Sequence, residues 1–192
     1  MPLTQRSASR LEASAIVILI VALIAVLPRR YHILPNWFAY LGMALIIVPM
    51  LAGAVLNLSG AWRRIERAAE IFAVVNALVF NVCNLLVAAY DLVENPGKLD
   101  PVRLFYTSVG IWCGNVLIFT LLYWLVDRGG PDARLSGTRR YPDFDFPAMD
   151  DVEHVPPDWH PGMVDYLFLG FTTSTAFSPT EAMPLTQRAK LL

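Results

Sequence analysis

The stretch LFYTSVGIWCGNVLIFTLLYWLV, from Leu104 to Val126, decides the fold class of this chain. It contains no charged residue, and Tyr106, Tyr123 and Trp124 stand near its two ends. About 20 apolar residues let a helix cross the hydrocarbon core of a bilayer, and aromatic rings favour the headgroup level at either end of such a helix. The stretch therefore predicts a transmembrane helix over residues 103–126.

Three further apolar runs precede it, and their predicted spans are 12–28, 36–58 and 68–91. The first run follows two arginines as a secretory signal does, but no small-residue cleavage site comes after it, so we interpret it as a retained anchor helix. The composition agrees, since 56% of the residues are hydrophobic, 16% are charged and the mean hydropathy is +0.49. We expect an all-α integral membrane helical bundle with four transmembrane helices in residues 1–128.

Charge and cysteine content exclude several classes of protein. A formal net charge of -1 gives no reason to expect nucleic-acid binding, which needs a clustered basic surface. Cys83 and Cys113 both lie in apolar runs, which argues against a disulfide framework and against a cysteine-based zinc site. We expect no cofactor, no metal site and no nucleic-acid partner, and a lipid bilayer as the surroundings.

A polar, proline-rich stretch follows the fourth predicted span, and we assign residues 129–160 to a connecting loop. Its acidic residues outnumber its basic ones, and it contains His154 and His160. A solvated surface is one interpretation of this loop. A divalent cation held by the histidines and carboxylates is the alternative, although their spacing matches no zinc motif.

Asparagine residues interrupt the third and fourth predicted spans. Asn76, Asn81 and Asn84 lie in the third, and Asn115 lies in the fourth. A buried amide needs a hydrogen-bond partner, so we assign these residues to helix packing, with a substrate path as the alternative. No charged residue occupies the middle of any of the four spans, which argues against a proton-coupled transporter.

Gly110 and Gly114 form a GxxxG spacing in the fourth predicted span. Two glycines at this spacing let helix backbones approach closely. The same physics serves packing within the chain and packing in a homo-oligomer, so both alternatives stay open.

Residues 161–192 begin with a second kind of apolar segment. Pro161 suits the first turn of a helix, Asp165 favours its positive end, and Pro179 stops the segment after a run of hydroxyl residues. The segment is shorter than the four spans and its far end is polar. This pattern predicts a re-entrant half-helix or a short fifth helix.

An aromatic-rich helix followed by a threonine cluster and a polar exit is similar to the pore helix and filter of the potassium-channel superfamily. The strings YWLVDRGGP, DFDFPAMDD and DYLFLGFTTSTAFSPTEAMPLTQRAKLL more closely resemble a family of uncharacterised bacterial multipass membrane proteins described as channel-like. This resemblance covers the C-terminal half of the chain well and the N-terminal half in helix layout only. It implies an oligomeric pore lined by Thr172, Thr173, Thr175 and Ser178.

The resemblance has two further consequences. The string TAFSPT, residues 175–180, stands where potassium channels have a glycine-containing filter, and without glycine we do not expect the same ladder of carbonyl ligands. The family continues with another hydrophobic helix after a segment like residues 188–192, whereas this sequence ends there. The resemblance therefore implies a chain that lacks the final helix.

One hexapeptide occurs twice in the sequence. Met1–Arg6 and Met183–Arg188 both read MPLTQR, and the sequence alone offers no physical account of this repeat. The positive residues beside the predicted spans are in slight excess on the side of the N-terminus, which predicts a cytoplasmic N-terminus. After four spans, the loop at 129–160 lies on that side too.

We therefore expect a multipass protein of the cell (inner) membrane that forms an ion-channel-like pore for an ion or small solute. The alternative is a noncatalytic membrane interaction or assembly protein. A membrane enzyme would rely on Asp127, Arg128, His154 or His160 as acid, base or metal ligand. Because no nucleophile arrangement, phosphate-binding loop or metalloprotease helix accompanies these residues, we do not expect an enzyme.

Overall fold

The computed structural model of the chain describes four long ranges and several separate positions. They are 61–136, 141–149, 159–175 and 182–192, with Ala13, 15–20, 22, 23, Trp37, Leu41, Ala44, Val48 and Glu153. Helices and strands are numbered along the four ranges in chain order. The structure is mostly helical, which agrees with the all-α part of the prediction.

Two long helices, α1 (Ala61–Glu94) and α2 (Pro101–Val126), contain the third and fourth predicted spans. A 3-10 turn over Pro96–Lys98 separates them, where the sequence carries the turn-forming string Asn95-Pro96-Gly97. The start of α2 is capped, because the carboxylate of Asp100 accepts a hydrogen bond from the N–H of Val102 at 3.0 Å. A proline at the first helical position costs no hydrogen bond there.

Both helices are long and apolar enough to cross a membrane, over Arg67–Glu94 and Pro101–Gly129. About half of the first predicted span, 12–28, and most of the second, 36–58, lie outside the described residues. The few residues described there are helical. Among the residues that the structure describes, two helices are candidate spans, and the bundle of four remains a prediction.

The chain divides into two compact units, Met1–Ala13 with Phe119–Leu192, and Ser14–Ile118. In the second unit, Asn76, Phe80, Asn84 and Ala88 are buried at intervals of four residues. Such a spacing places them on one face of a helix. Ala88 packs there against Ile111 of α2.

The exposed surface of α1 is hydrophobic as well. From Ala68 to Val93, every exposed residue is apolar, apart from the amphipathic Tyr90. A helix of a soluble protein carries polar and charged residues on the face that it turns to water. The surface of α1 therefore suits apolar surroundings.

The unit that includes Phe119–Leu192 holds the shorter elements. They are the 3-10 turn Asp127–Gly129, α3 (Pro131–Ser136), β1 (Phe144–Asp145), the 3-10 turn Pro147–Met149, α4 (Met163–Ser174), β2 (Met183–Pro184) and α5 (Gln187–Lys190). The two strands pair antiparallel, with Phe144 opposite Pro184 and Asp145 opposite Met183. This short pair is the one departure from the all-α prediction in the part of the chain that the structure describes.

A helix, α4, occupies the segment after Pro161 where the sequence predicts one. Asp165 supports its first turn, since its Oδ2 accepts a hydrogen bond from the N–H of Gly162 at 2.7 Å. The 12 residues of α4 extend about 18 Å, whereas the hydrocarbon core is about 30 Å thick. β1 precedes α4 and β2 follows it, so the segments that flank α4 lie side by side.

Candidate functional site

A buried group of charged and polar residues lies where α2 ends. We call it the Asp127–Asp143 cluster, after two carboxylates whose side chains are fully buried. The members all belong to the unit that includes Phe119–Leu192. They are Asp127, Arg128, Arg134, Asp143, Tyr166, Thr186 and Arg188.

Three consecutive residues with positive φ turn the chain at the end of α2. Arg128 has φ 51° and ψ 23°, Gly129 has φ 82° and Gly130 has φ 93°. Glycine adopts such angles freely, whereas the left-handed region costs a residue with a Cβ roughly 1–2 kcal/mol. The N–H of Arg128 donates to Asp143 Oδ2 at 2.7 Å, and this bond offsets part of that cost.

Asp127 joins α2 to two other segments. Its Oδ1 accepts a hydrogen bond from the backbone N–H of Asp143 at 2.8 Å, and its Oδ2 accepts one from the Tyr166 hydroxyl at 2.7 Å. Arg128 Nε lies 4.0 Å from the same Oδ2. A carboxylate away from water is stable only where such donors replace the solvent.

Asp143 joins the segment before β1 to the end of the chain. Its Oδ1 accepts hydrogen bonds from the Thr186 hydroxyl at 2.7 Å and from Arg188 Nε at 2.6 Å. Arg188 Nη2 donates to Oδ2, which also receives the N–H of Arg128. The two oxygens of Asp143 therefore have as many donors as a carboxylate readily accepts.

Arg134 of α3 satisfies carbonyl groups at the end of α2. Its Nη1 donates to the carbonyl oxygens of Trp124 at 2.7 Å and Asp127 at 2.9 Å. Its guanidinium also lies over the rings of Trp124 and Tyr166, 5.4 Å and 5.6 Å from their centroids. A cation at the carboxyl end of a helix is favoured by the helix dipole and by the aromatic faces.

Tyr166 is the aromatic member of the cluster and is fully buried. Burial raises the pKa of its hydroxyl, Asp127 raises it further, and Arg134 opposes the rise. The hydroxyl therefore remains a protonated donor to Asp127 at neutral pH. Phe146 packs edge-to-face on the Tyr166 ring, with 5.6 Å between the ring centroids. The rings of Phe144 and Tyr123 pack in the same way, with centroids 5.1 Å apart, so aromatic rings enclose this side of the cluster.

This geometry suits a structural connection better than a reaction centre. The carboxylates of Asp127 and Asp143 are enclosed by donors and closed to solvent. Of the histidines in the enzyme hypothesis, His160 is exposed and His154 lies outside the described residues. The ranges that the structure describes contain no group of three His, Cys, Asp or Glu able to hold a metal ion.

The predicted pore-lining hydroxyls do not share one face of α4. Thr172 is buried, Thr173 is exposed and Thr175 is half-buried, while Ser178 lies outside the described residues. Each of the three threonines donates to a carbonyl of the preceding turn, at 3.0, 2.9 and 2.9 Å. Thr173 also lies 3.4 Å from the hydroxyl of Tyr123. A pore-lining role stays a prediction for these residues.

The predicted packing residues lie in or beside the contact between α1 and α2. A Cβ on Gly114 would stand 3.1 Å from Asn81 Oδ1, and Asn81 Nδ2 donates to the carbonyl of Ile111 at 3.2 Å. Gly110 and Asn76 are buried, and Asn115 is half-buried. Asn84 is 1% exposed, and its amide has no hydrogen-bond partner among the described residues.

Sequence reasoning missed the Asp127–Asp143 cluster. A solvated surface, one of the two interpretations of the loop at 129–160, is wrong for Asp143, which is buried by its contacts with Arg128, Thr186 and Arg188. One signal was available in the DRGG string directly after α2, since paired glycines behind a charged residue mark a constrained turn.

Comparison of the chain with known proteins finds no relative for the fold or for the site. No model of a known protein family, no curated protein and no solved structure matches the chain.

Proposed function

We propose that the chain is a multipass protein of the inner membrane and that α4 is a re-entrant helix in a channel-like, homo-oligomeric pore. The observation that carries the proposal is the connection between the segments that flank α4. β1 pairs with β2, and Asp143 binds Thr186 and Arg188. A helix with flanks joined in this way enters and leaves a membrane on the same side.

The exposed surface of α4 supports its insertion in an apolar medium. Val164, Phe168 and Phe171 are exposed and follow one another at intervals of four and three residues. This spacing gives a single hydrophobic stripe along the helix. Such a stripe favours contact with lipid or with a second copy of the chain.

The carboxyl end of α4 supports an ion-conducting role. The helix dipole places partial negative charge at this end, where the hydroxyl oxygens of Thr173 and Thr175 add further acceptors. Because both hydroxyls donate back to carbonyl groups of α4, their lone pairs point away from the helix backbone. Oxygen atoms in this arrangement suit a cation that has lost part of its hydration shell.

Ion flux into liposomes tests this proposal. Full-length protein with Cys83 and Cys113 replaced by alanine is reconstituted, and Thr173→Cys is compared with Phe168→Cys, which lies in the apolar stripe. A cationic thiol reagent should reduce flux at least tenfold in Thr173→Cys and leave Phe168→Cys unchanged. Absence of flux under both cation and anion gradients would overturn the pore, and equal block of the two variants would overturn the assignment of Thr173.

A noncatalytic membrane interaction or assembly protein is the second candidate. The hydrophobic exposed surface of α1 favours it, since the same surface suits another membrane helix as well as lipid. Protein that assembles in liposomes without conducting ions would support this candidate over the pore.

A further inference from the structure

We propose that the contact made by Met183–Arg188 is a binding site for the sequence MPLTQR, and that Met1–Arg6 of the same chain is its second occupant. The two hexapeptides would then exchange at Asp143. Residues 1–6 lie outside the described ranges, and the copy at 183–188 shows the contacts that the site makes.

The site recognises the hexapeptide through three groups. The backbone N–H of Leu185 donates to the carbonyl oxygen of Asp143 at 2.8 Å, which extends the pairing of β1 with β2. The Thr186 hydroxyl and the Arg188 guanidinium bind the Asp143 carboxylate. The site thus reads an extended backbone followed by Thr-x-Arg.

Thr186 also fixes the geometry of this recognition. It is the N-cap of α5, and its hydroxyl oxygen accepts the N–H of Ala189 at 3.3 Å while it donates to Asp143. The turn of helix that follows brings Arg188 to the same carboxylate. Ala189 is buried, so the position after the hexapeptide must be small.

Met1–Arg6 offers the same groups in the same order. Thr4 and Arg6 correspond to Thr186 and Arg188 of the other copy. Leu3 corresponds to Leu185 and has a backbone N–H at the same position. Ser7 follows in place of Ala189 and is also small. The groups through which the site recognises residues 183–188 are therefore all present in residues 1–6.

Few apolar contacts hold the copy at 183–188 in the site, so an identical segment can take its place without losing them. β2 has only two residues, and the side chains of Met183, Pro184 and Leu185 are exposed, so little apolar surface holds the segment. Thr186 and Arg188 make polar side-chain contacts with the site, and the N-terminal copy has the same two residue types at Thr4 and Arg6. Both segments are tethered to the same chain, so their effective concentrations near Asp143 decide which of them occupies the site.

The proposal requires both copies to lie on one side of the membrane. This step rests on the proposed four-span topology, because an even number of spans returns the chain to the side of its N-terminus. Detergent-solubilised protein removes the membrane as a barrier, so binding can be tested there independently of the topology and of the pore.

Hydrogen exchange at the amide of Leu185 tests the proposal in full-length protein. Thr4→Val/Arg6→Ala removes the competing hexapeptide without changing any described residue, and Ser9→Ala/Arg10→Ala is the matched control outside the repeat. Exchange should slow at least tenfold in the first variant and stay at the wild-type rate in the control. The same rate in both variants would overturn the proposal.

Added peptides give an independent test on the wild-type protein. Excess MPLTQR peptide should speed exchange at Leu185, and a peptide with the sequence MPLVQA should not. An equal response to both, or to neither, would show that the site does not read Thr-x-Arg. Tenfold dilution of the protein should leave the rate unchanged, whereas slower exchange on dilution would mean that a second copy, and not the same chain, supplies residues 1–6.

Discussion

The hydroxyl of Thr186 donates a hydrogen bond to the carboxylate of Asp143 at 2.7 Å, although 43 positions separate the two residues in the chain. Asp143 is bound in turn to Asp127 through its own N–H, and Asp127 accepts the hydroxyl of Tyr166. A continuous series of hydrogen bonds therefore runs from Tyr166 of α4, through Asp127 at the end of α2 and Asp143, to Thr186 at the start of α5. Changes along this series should weaken the unit as a whole.

Tyr166→Phe should destabilise the protein. The variant keeps the buried ring but leaves Asp127 Oδ2 without its closest donor, and an unsatisfied buried acceptor costs about 1–3 kcal/mol or more when it is charged. Tyr141→Phe is the matched control, because Tyr141 is 79% exposed. We expect a lower midpoint in a denaturing-detergent titration for Tyr166→Phe and no change for Tyr141→Phe; equal midpoints would contradict the role of the hydroxyl.

The stability of the protein should fall in alkaline solution because of Tyr166. Burial raises the pKa of its hydroxyl above the ordinary value of 10.0, so the folded state favours the protonated form. The stabilisation is complete below about pH 10 and is lost as the pH rises further, by at most about 1.4 kcal/mol per pH unit. Unfolding midpoints of wild type and Tyr166→Phe should therefore converge above pH 10; parallel curves would contradict the prediction.

Some features of this fold follow from the sequence because their signals are local. The length of the two apolar runs predicts α1 and α2, and the Asn95-Pro96-Gly97 string predicts the turn between them. The helix at 163–174 follows from Asp165 near its start and the proline before it. Each of these signals lies within the element that it specifies.

The Asp127–Asp143 cluster could not be predicted in the same way. The contacts of Asp143 join residues 15 to 45 positions apart, and no periodicity indicates that this loop carboxylate, among several, is the buried one. The burial of Asp143 follows from the left-handed turn at Arg128 and from the return of the chain after α4. The two glycines are a local signal for the turn, whereas the return of the chain after α4 is a tertiary feature about which local propensity carries no information.

Two replacements of Arg128 should separate the effect of its backbone strain on the free energy of unfolding from the effect of its side-chain contacts. Arg128→Ala and Arg128→Gly both remove the side chain, but only glycine adopts φ 51° and ψ 23° without a clash of its Cβ. We expect Arg128→Gly to be more stable than Arg128→Ala by about 1 kcal/mol. In an ordinary helical position glycine is the less stable of the two, so the reverse order in unfolding titrations would contradict the prediction.

Gly114→Ala should destabilise the contact between α1 and α2. The added Cβ would stand 3.1 Å from Asn81 Oδ1, so Asn81 must move and weaken its hydrogen bond to the carbonyl of Ile111. Overpacking of this kind costs about 1–3 kcal/mol, and the higher helix propensity of alanine offsets roughly 0.5–1 kcal/mol of it. Gly97→Ala is the control, since a Cβ there meets nothing within 4 Å. Unfolding titrations should show a loss for Gly114→Ala alone, and Asn81→Ala should reduce that loss.

A disulfide between positions 145 and 183 should form in Asp145→Cys/Met183→Cys. The two residues are partners in the β1–β2 pair, and antiparallel partners have Cα atoms about 4.5–5.5 Å apart, within the range that a disulfide needs. Cys83 and Cys113 are replaced by alanine so that no other thiol competes. Proteolysis between the two positions, followed by mass analysis with and without reductant, detects the link.

Tyr141→Cys/Met183→Cys is the control for this disulfide, because position 141 lies four residues before the partner of Met183. Protein in native membranes should form the 145–183 link under mild oxidation and not the 141–183 link. A 145–183 link means that the chain returns after α4 to the segment that precedes it, as a re-entrant helix requires. If neither pair links although both thiols react with a maleimide, β1 and β2 are apart in the membrane, and α4 is better explained as a fifth span.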